Sequence, residues 1–354
     1  MRRAGLAFGR QNATLMAQQP KRGTMRQLVL SIAALFGLAL ACTAECTGQN
    51  LISALPPIEQ TALRSAANAV PFATGNYWQA TRGDQVVHLI GTYHFDDPRH
   101  AATLATLAPI LKTAQTLLVE AGPEEETALK ARLAREPGLM VITDGPTLPE
   151  LMAPADWQRL TRALADRGIP AFMAAKFRPW YLSMMLSIPA CDMDAAATAK
   201  GLDGQLIETA LAQGLTVQAL EPYDTLFAVF DLLPQTDQLA MVTSALAMED
   251  KSADMAITLA DAYFAQESRL IWEFMRSATL KLPGYTPERT EAEFATMEQA
   301  LMITRNQAWI AVIEDAATKG PALVAFGALH LSGDQGVLRL LEQRGFTLRR
   351  LPLD

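Results

Sequence analysis

Basic charge is scarcer in this sequence than a binder of polyanions would need. Lys and Arg total 30 against 37 Asp and Glu, for a formal charge of -7 and a pI near 5.3. That balance gives no pull toward nucleic acid or anionic lipid, both of which favour basic surfaces, so no nucleic-acid partner is expected. No later stretch reaches the roughly 20 consecutive apolar residues of a membrane-spanning helix. The chain also lacks low-complexity tracts and long linkers, and its only internal repetition is a four-residue pattern described below. Charged residues are 19% of the chain, while half is hydrophobic, enough to bury a full core in 354 residues. Fifteen methionines and many alanines point to packed helices.

The N-terminus reads as a signal peptide. Lys21, Arg22 and Arg26 precede the apolar "LVLSIAALFGLALA" and the small-residue stretch "ACTA", the layout of an export signal. Cleavage after Ala41 or Ala44 fits; cleavage before Cys42 would leave a lipid-anchored form, which stays open. Met25 would start a conventional signal, so residues 1–24 are a mis-called start or a long leader. The expected domain organisation is a signal segment over 1–44 and one domain over 45–354, exported to a periplasmic or secreted location and not membrane-spanning once mature. An oxidising compartment lets thiols pair, and a Cys46–Cys191 disulfide is the expectation, two free thiols the alternative.

Residues 46–80 read as a helical lead-in ending in a turn at "ATGNYW". Five strands are expected in "QVVHLIGTYH", "TLLVEAG", "LTVQALE", "ALVAFGALH" and "FTLRRLPLD", separated by helix-patterned segments, with Gly345 stopping the last helix. Such alternation implies an α/β fold: a largely parallel or mixed central sheet with flanking helices. From about 125 to 318, interrupted by the third strand, the pattern is mostly helical and reads as an insertion or cap. Met173, Met184, Met185, Met193, Met241, Met248, Met255 and Met275 fall there; they fit ordinary helix core, or an adaptable apolar groove for a flexible ligand.

Two apolar runs close on glycine, two residues and a histidine: "GTYH" at 91–94 and "GALH" at 327–330. With 21 Gly and only 4 His, chance predicts roughly 0.24 such pairs, so two at matching strand ends carry information. Ligands of a parallel sheet sit beyond the carboxyl ends of its strands. His94 and His330 fall there, as does Glu120, closing "TLLVE". Two imidazoles and a carboxylate make a divalent-metal site, suiting manganese, cobalt or zinc alike. His88, inside its strand, reads as packed or paired, and His100 as a solvated loop residue. Asp96 and Asp97 read as loop-tip or helix-capping residues before any site role.

"GTYH", "LLVE", "FRPWYLSMML", "GLDGQLIETALAQGLTVQALE", "RNQAWI" and "GALHLSGDQGVLRLLEQRGF" occur in an order that resembles the TraB/GumN family, which includes relatives of the Tiki metalloproteases. The resemblance runs from about residue 46 to the C-terminus. It implies that His94, Glu120 and His330 serve a divalent metal ion, with Arg305 and Asn306 matching the "RN" landmark. Arg305 would clamp a substrate carboxylate, stabilise an oxyanion, or form a structural ion pair. Asp203 is expected to cap the helix within "GLDGQLIETAL". The functional expectation is an exported metal-dependent hydrolase acting on a peptide or related amide, with Glu120 as ligand or general base. Alternatives are a non-catalytic protein that sequesters a peptide or small molecule in the same cleft, and a hydrolase of esters or lactones. Oligomeric state stays open.

Overall fold

Six strands form one sheet: β1 (Tyr77–Arg82), β2 (Gln85–Thr92), β3 (Thr116–Val119), β4 (Thr216–Ala219), β5 (Ala322–Gly327) and β6 (Thr347–Arg350). The structure is a computed structural model describing residues 46–193 and 200–353. The expected signal segment lies outside the described residues. Sheet order is β4-β3-β5-β2-β1-β6, and β4, β3, β5 and β2 run parallel. β1 is antiparallel to both β2 and β6. The expected α/β architecture is therefore what the chain forms, with a mixed sheet.

β1 is the strand that sequence pattern misses. "YWQATR" alternates only loosely and carries Gln79, Thr81 and Arg82, so it reads as the end of a turn; pairing with β2 and β6 makes it a strand. Gly83, at φ +57°, and Asp84 form the two-residue link to β2. Glycine first is the arrangement that tight hairpins of the II′ type use.

Side chains alternate across the sheet, so each strand supplies two cores. On one face Leu89, Leu118, Val324 and Phe326 pack with Trp309, Ile310, Ile313 and Ala317 of the helix Thr304–Lys319, and with Val337, Leu338 and Leu341. On the other, Ile90, Leu117, Val119, Leu323 and Ala325 pack with Leu107 and Leu111 of the helix His100–Thr113 and with Leu202, Leu206 and Ala210 of the helix Leu202–Ala212. Both faces are covered, as a mainly parallel sheet requires. The two helices that border the site are thus fixed by fully buried anchors beside their first turns.

The helical segment has its own core, in which Leu148, Leu160, Leu164, Leu182, Val242 and Leu246 are buried. Its methionines do not form that core. None of the eight is fully buried, and Met173, Met184 and Met275 are exposed, whereas Met185 only packs against the cluster's edge. Branched and compact Leu and Val fill the centre and leave the flexible thioethers to the rim. Among the described residues no helix is long and apolar enough to cross a membrane.

The lead-in docks through Ile52, Leu63 and Ala67 on Leu270 and Phe274. It is also bonded covalently: Cys46 and Cys191 form a disulfide, 145 residues apart. Closing so long a loop restricts the unfolded chain, and losing the bond should cost about 2–4 kcal/mol. Cys191→Ser, or the wild type under reductant, should show a lower denaturant midpoint; identical midpoints would contradict the tether.

Candidate functional site

The register of the sheet brings the candidate residues to one edge. Thr92 of β2 pairs with Gly327 of β5, and Val119 of β3 pairs with Ala325 of β5 and Ala219 of β4. His94, Glu120, Glu221 and His330 therefore follow strand ends that lie side by side. At Gly327 three of them converge. A Cβ placed on that glycine would lie 3.2 Å from His94 Nε2, 3.4 Å from Glu120 Oε1 and 3.7 Å from His330 Cδ2. The glycine of "GALH" is thus the floor of the site, and any side chain there would fill the space the three groups share. The glycine of "GTYH" serves packing instead. A Cβ on Gly91 would sit 2.8 Å from Ala328 Cα and 2.7 Å from Leu331 Cδ1, so its absence lets the turn carrying His330 close against β2.

Each imidazole has one nitrogen occupied by a partner from a helix first turn. His94 Nδ1 lies 3.1 Å from Asp203 Oδ1, and His330 Nδ1 lies 2.6 Å from Asn306 Oδ1, while Asn306 donates onward to the Gln335 carbonyl. With Nδ1 donating, each ring turns its Nε2 inward, which is how metal-ligating histidines are usually supported. The two rings differ in exposure. His330 is 4% exposed, wedged beside Trp309 and Phe326, and burial pushes its pKa down to about 3. It is neutral at physiological pH. His94 is crowded by protein atoms, yet 57% of its side chain meets solvent. Crowding lowers its pKa, but the Asp203 hydrogen bond and the charges of Glu120 and Asp203 outweigh this and raise it to about 9; solvent screening tempers those charges.

Arg305 ties the carboxylates together. Its Nη2 reaches Glu120 Oε2 at 2.6 Å and Glu221 Oε1 at 2.7 Å, and its Nε reaches Glu221 Oε2 at 2.9 Å. Nη1 donates to the Leu301 carbonyl at 3.1 Å and faces His330 Nε2 at 3.3 Å. Glu221 also accepts from the Trp309 indole at 2.9 Å. Burial raises the Glu120 carboxyl. The rings of His330 and His94, the Arg305 guanidinium and the Gly327 N–H, 2.6 Å from Oε1, outweigh it and hold the pKa down to about 2. Because His330 is neutral, the durable influences are Arg305, His94 and the amide, and Glu120 is ionised.

The donors suit a divalent ion in kind: the inward Nε2 of His330, that of His94 once it gives up the proton its raised pKa holds at neutral pH, one ionised carboxylate and an excess of acidic groups. The arrangement itself is drawn together by Arg305, and among the described residues no group of three His, Cys, Asp or Glu is closed into a ready-made cage. An ion at Gly327 would require Glu120 and His330 to turn from the guanidinium, which Glu221 would still hold.

Asp203 does not cap its helix. The helix Leu202–Ala212 starts on Gly201 with no side-chain cap, and the carboxylate one residue inside it is committed to His94. Glu221 carried no role in sequence, although it closes "LTVQALE" as Glu120 closes "TLLVE"; a carboxylate after an apolar strand is the shared signal. His100 is not solvated. It begins the helix His100–Thr113, is buried, and its Nε2 meets the Phe95 carbonyl at 2.9 Å. His88 is paired in its strand with the Tyr77 hydroxyl. Asp97 shapes the loop as expected, accepting from the Arg99 amide, and Asp96 accepts from Gln205.

His330 gives a pH prediction. Its folded pKa lies below the ordinary 6.5 of the unfolded chain, so folding releases the proton and the native state loses stability as pH falls through 6.5 toward 3. His330→Gln should flatten that part of a stability–pH curve measured in denaturant; an unchanged slope would show that the ring is not held neutral.

Comparison with known proteins completes the description. The "Uncharacterized protein YbaP" of Escherichia coli (strain K12) is 26% identical over 262 residues, covering 73% of this chain and 89% of that protein, and the same holds for YbaP of Shigella flexneri. The TraB/PrgY/gumN family model matches residues 76–350, from the first strand through the last, and includes every site residue described above: the chain belongs to the TraB/PrgY/gumN family.

Proposed function

We propose that this protein is a metal-dependent hydrolase of peptide or related amide bonds, in which His94, Glu120 and His330 hold a manganese, cobalt or zinc ion and Arg305 meets the developing negative charge. The observation that carries the reading is the convergence of His94 Nε2, Glu120 Oε1 and the His330 ring on the empty side of Gly327. When bound, such an ion supplies Lewis acidity and a water acidic enough to act as nucleophile near neutral pH. Glu120, held far below the ordinary carboxylate range, is a poor proton acceptor and is cast as a ligand rather than a general base. His330, neutral through burial, carries an unprotonated Nε2 that an ion would take over from Arg305 Nη1.

Arg305 is held for its task by Glu221 and Trp309. All five of its N–H donors have partners in the structure. The two facing His330 and Glu120 are the ones a substrate oxyanion would take over once those residues act as ligands. Fixed donors aimed at developing charge are among the strongest contributions a site can make.

One observation favours a second reading, a non-catalytic cleft that sequesters a peptide or other small molecule: Glu120 and Arg305 already satisfy each other at 2.6 Å. The signal segment and the disulfide support export, to a periplasm or the exterior, under either reading.

The test is to measure bound metal on the purified protein and to assay a peptide library with chelator and with added manganese, cobalt or zinc. His94→Ala is the cleaner variant because its ring is largely exposed, whereas His330→Ala opens a cavity in the core. Cleavage should require metal and fall in both variants by more than the roughly 100-fold that even outer-sphere changes can cost. Peptide binding that survives chelator and both substitutions without cleavage would establish the sequestering role instead.

A further inference from the structure

The two imidazoles of the site are held in different ways. His330 is clamped on all sides: Asn306 at 2.6 Å, Trp309 with ring centroids 4.5 Å away, Phe326 at 6.1 Å, and almost no exposure. His94 has no aromatic ring packed on it among the described residues, and over half of its side chain is open to solvent. An exposed ring on a rotatable stem has no reason to keep Nε2 over Gly327 unless something restrains it. Among the described residues its one side-chain hydrogen bond is to Asp203, at 3.1 Å.

The backbone around Asp203 is built to deliver that bond. Gly201 comes so close to the strand end that a Cβ there would lie 2.3 Å from the His94 carbonyl carbon and 2.5 Å from the Tyr93 oxygen. The Leu202 amide donates to that Tyr93 oxygen at 3.0 Å. Leu202 and Leu206 are fully buried against the sheet. The start of the helix is therefore fixed to the backbone on either side of the histidine, and Asp203, in its first turn, is presented by rigid structure rather than by its own flexible reach. A negative charge at that position is also favoured by the helix macrodipole.

We infer that Asp203 is the positioning residue of His94, and that the Gly201-Leu202-Asp203 docking of the helix Leu202–Ala212 on the strand end sets the direction of the His94 ring. The role that burial plays for His330 is played for His94 by a single hydrogen bond. This inference rests on the proposed ion site for its consequence, but the ring's order can be measured without any ion.

The test compares wild type, Asp203→Ala and Asp203→Asn, the last of which keeps an oxygen that can accept from Nδ1. Ring relaxation of His94 by NMR is measured on metal-free protein, where only four histidines need assignment; titration with manganese(II) alone then gives affinity. Asp203→Ala should free the ring and weaken manganese binding by roughly 10–100-fold, with only a small fall in melting temperature from the lost first-turn charge. Asp203→Asn should keep the ring ordered and recover much of the affinity, a rescue that a merely structural role would not produce. An equally ordered ring or an unchanged affinity in Asp203→Ala would overturn the assignment. If the wild type takes up no manganese, zinc or cobalt, the ion reading fails while the relaxation measurement still decides the role of Asp203.

Discussion

The buried guanidinium of Arg305 is the constraint on which the site depends. Two carboxylates that end neighbouring strands, Glu120 and Glu221, are removed from much of their water, and each would be costly to leave unpaired. One arginine compensates both, and the indole of Trp309 supports the same Glu221 from the next helical turn. The helix Thr304–Lys319 is thereby locked to the ends of β3 and β4 by charge at its first turn and by apolar burial along its length. Asn306, one residue further, inherits its position from this lock and passes it to His330. Removing Arg305 would leave two buried anions facing each other and release the histidine's support as well.

Steric absence completes what charge begins. Three glycines do separate work: Gly327 keeps the centre open, Gly91 lets the His330 turn approach β2, and Gly201 lets a helix start on the backbone of the residues it serves. The Gly-x-x-His repeat therefore has two meanings. One glycine leaves space among three polar side chains and the other lets two segments pack, although the two motifs look alike in sequence.

Much of this was legible in the residues. The strands β2 to β6 announce themselves by apolar, β-branched runs, and His94, Glu120 and His330 by closing such runs with groups that are expensive to bury. Arg305 and Asn306 stand out by family resemblance rather than by pattern, because a charged residue inside a helical pattern looks like a solvated face until tertiary structure buries it. Glu221 carries the same signal as Glu120, a carboxylate closing an apolar strand. Asp203 reads as a cap in sequence because helix starts favour aspartate for that reason, and only the approach of a second chain segment redirects its side chain. β1 escaped because its status as a strand comes from two neighbours distant in sequence, not from its own alternation.

That last strand has a consequence for folding. β1 lies between β2 and β6, so it finds its second neighbour only in a strand far along the chain, at Thr347–Arg350, and β5, with His330 after it, enters the sheet's middle from a similar distance. Pairings of such long sequence separation are slow to form. Until β5 and β6 have joined it, the sheet stays unfinished, with His94 and His330 apart.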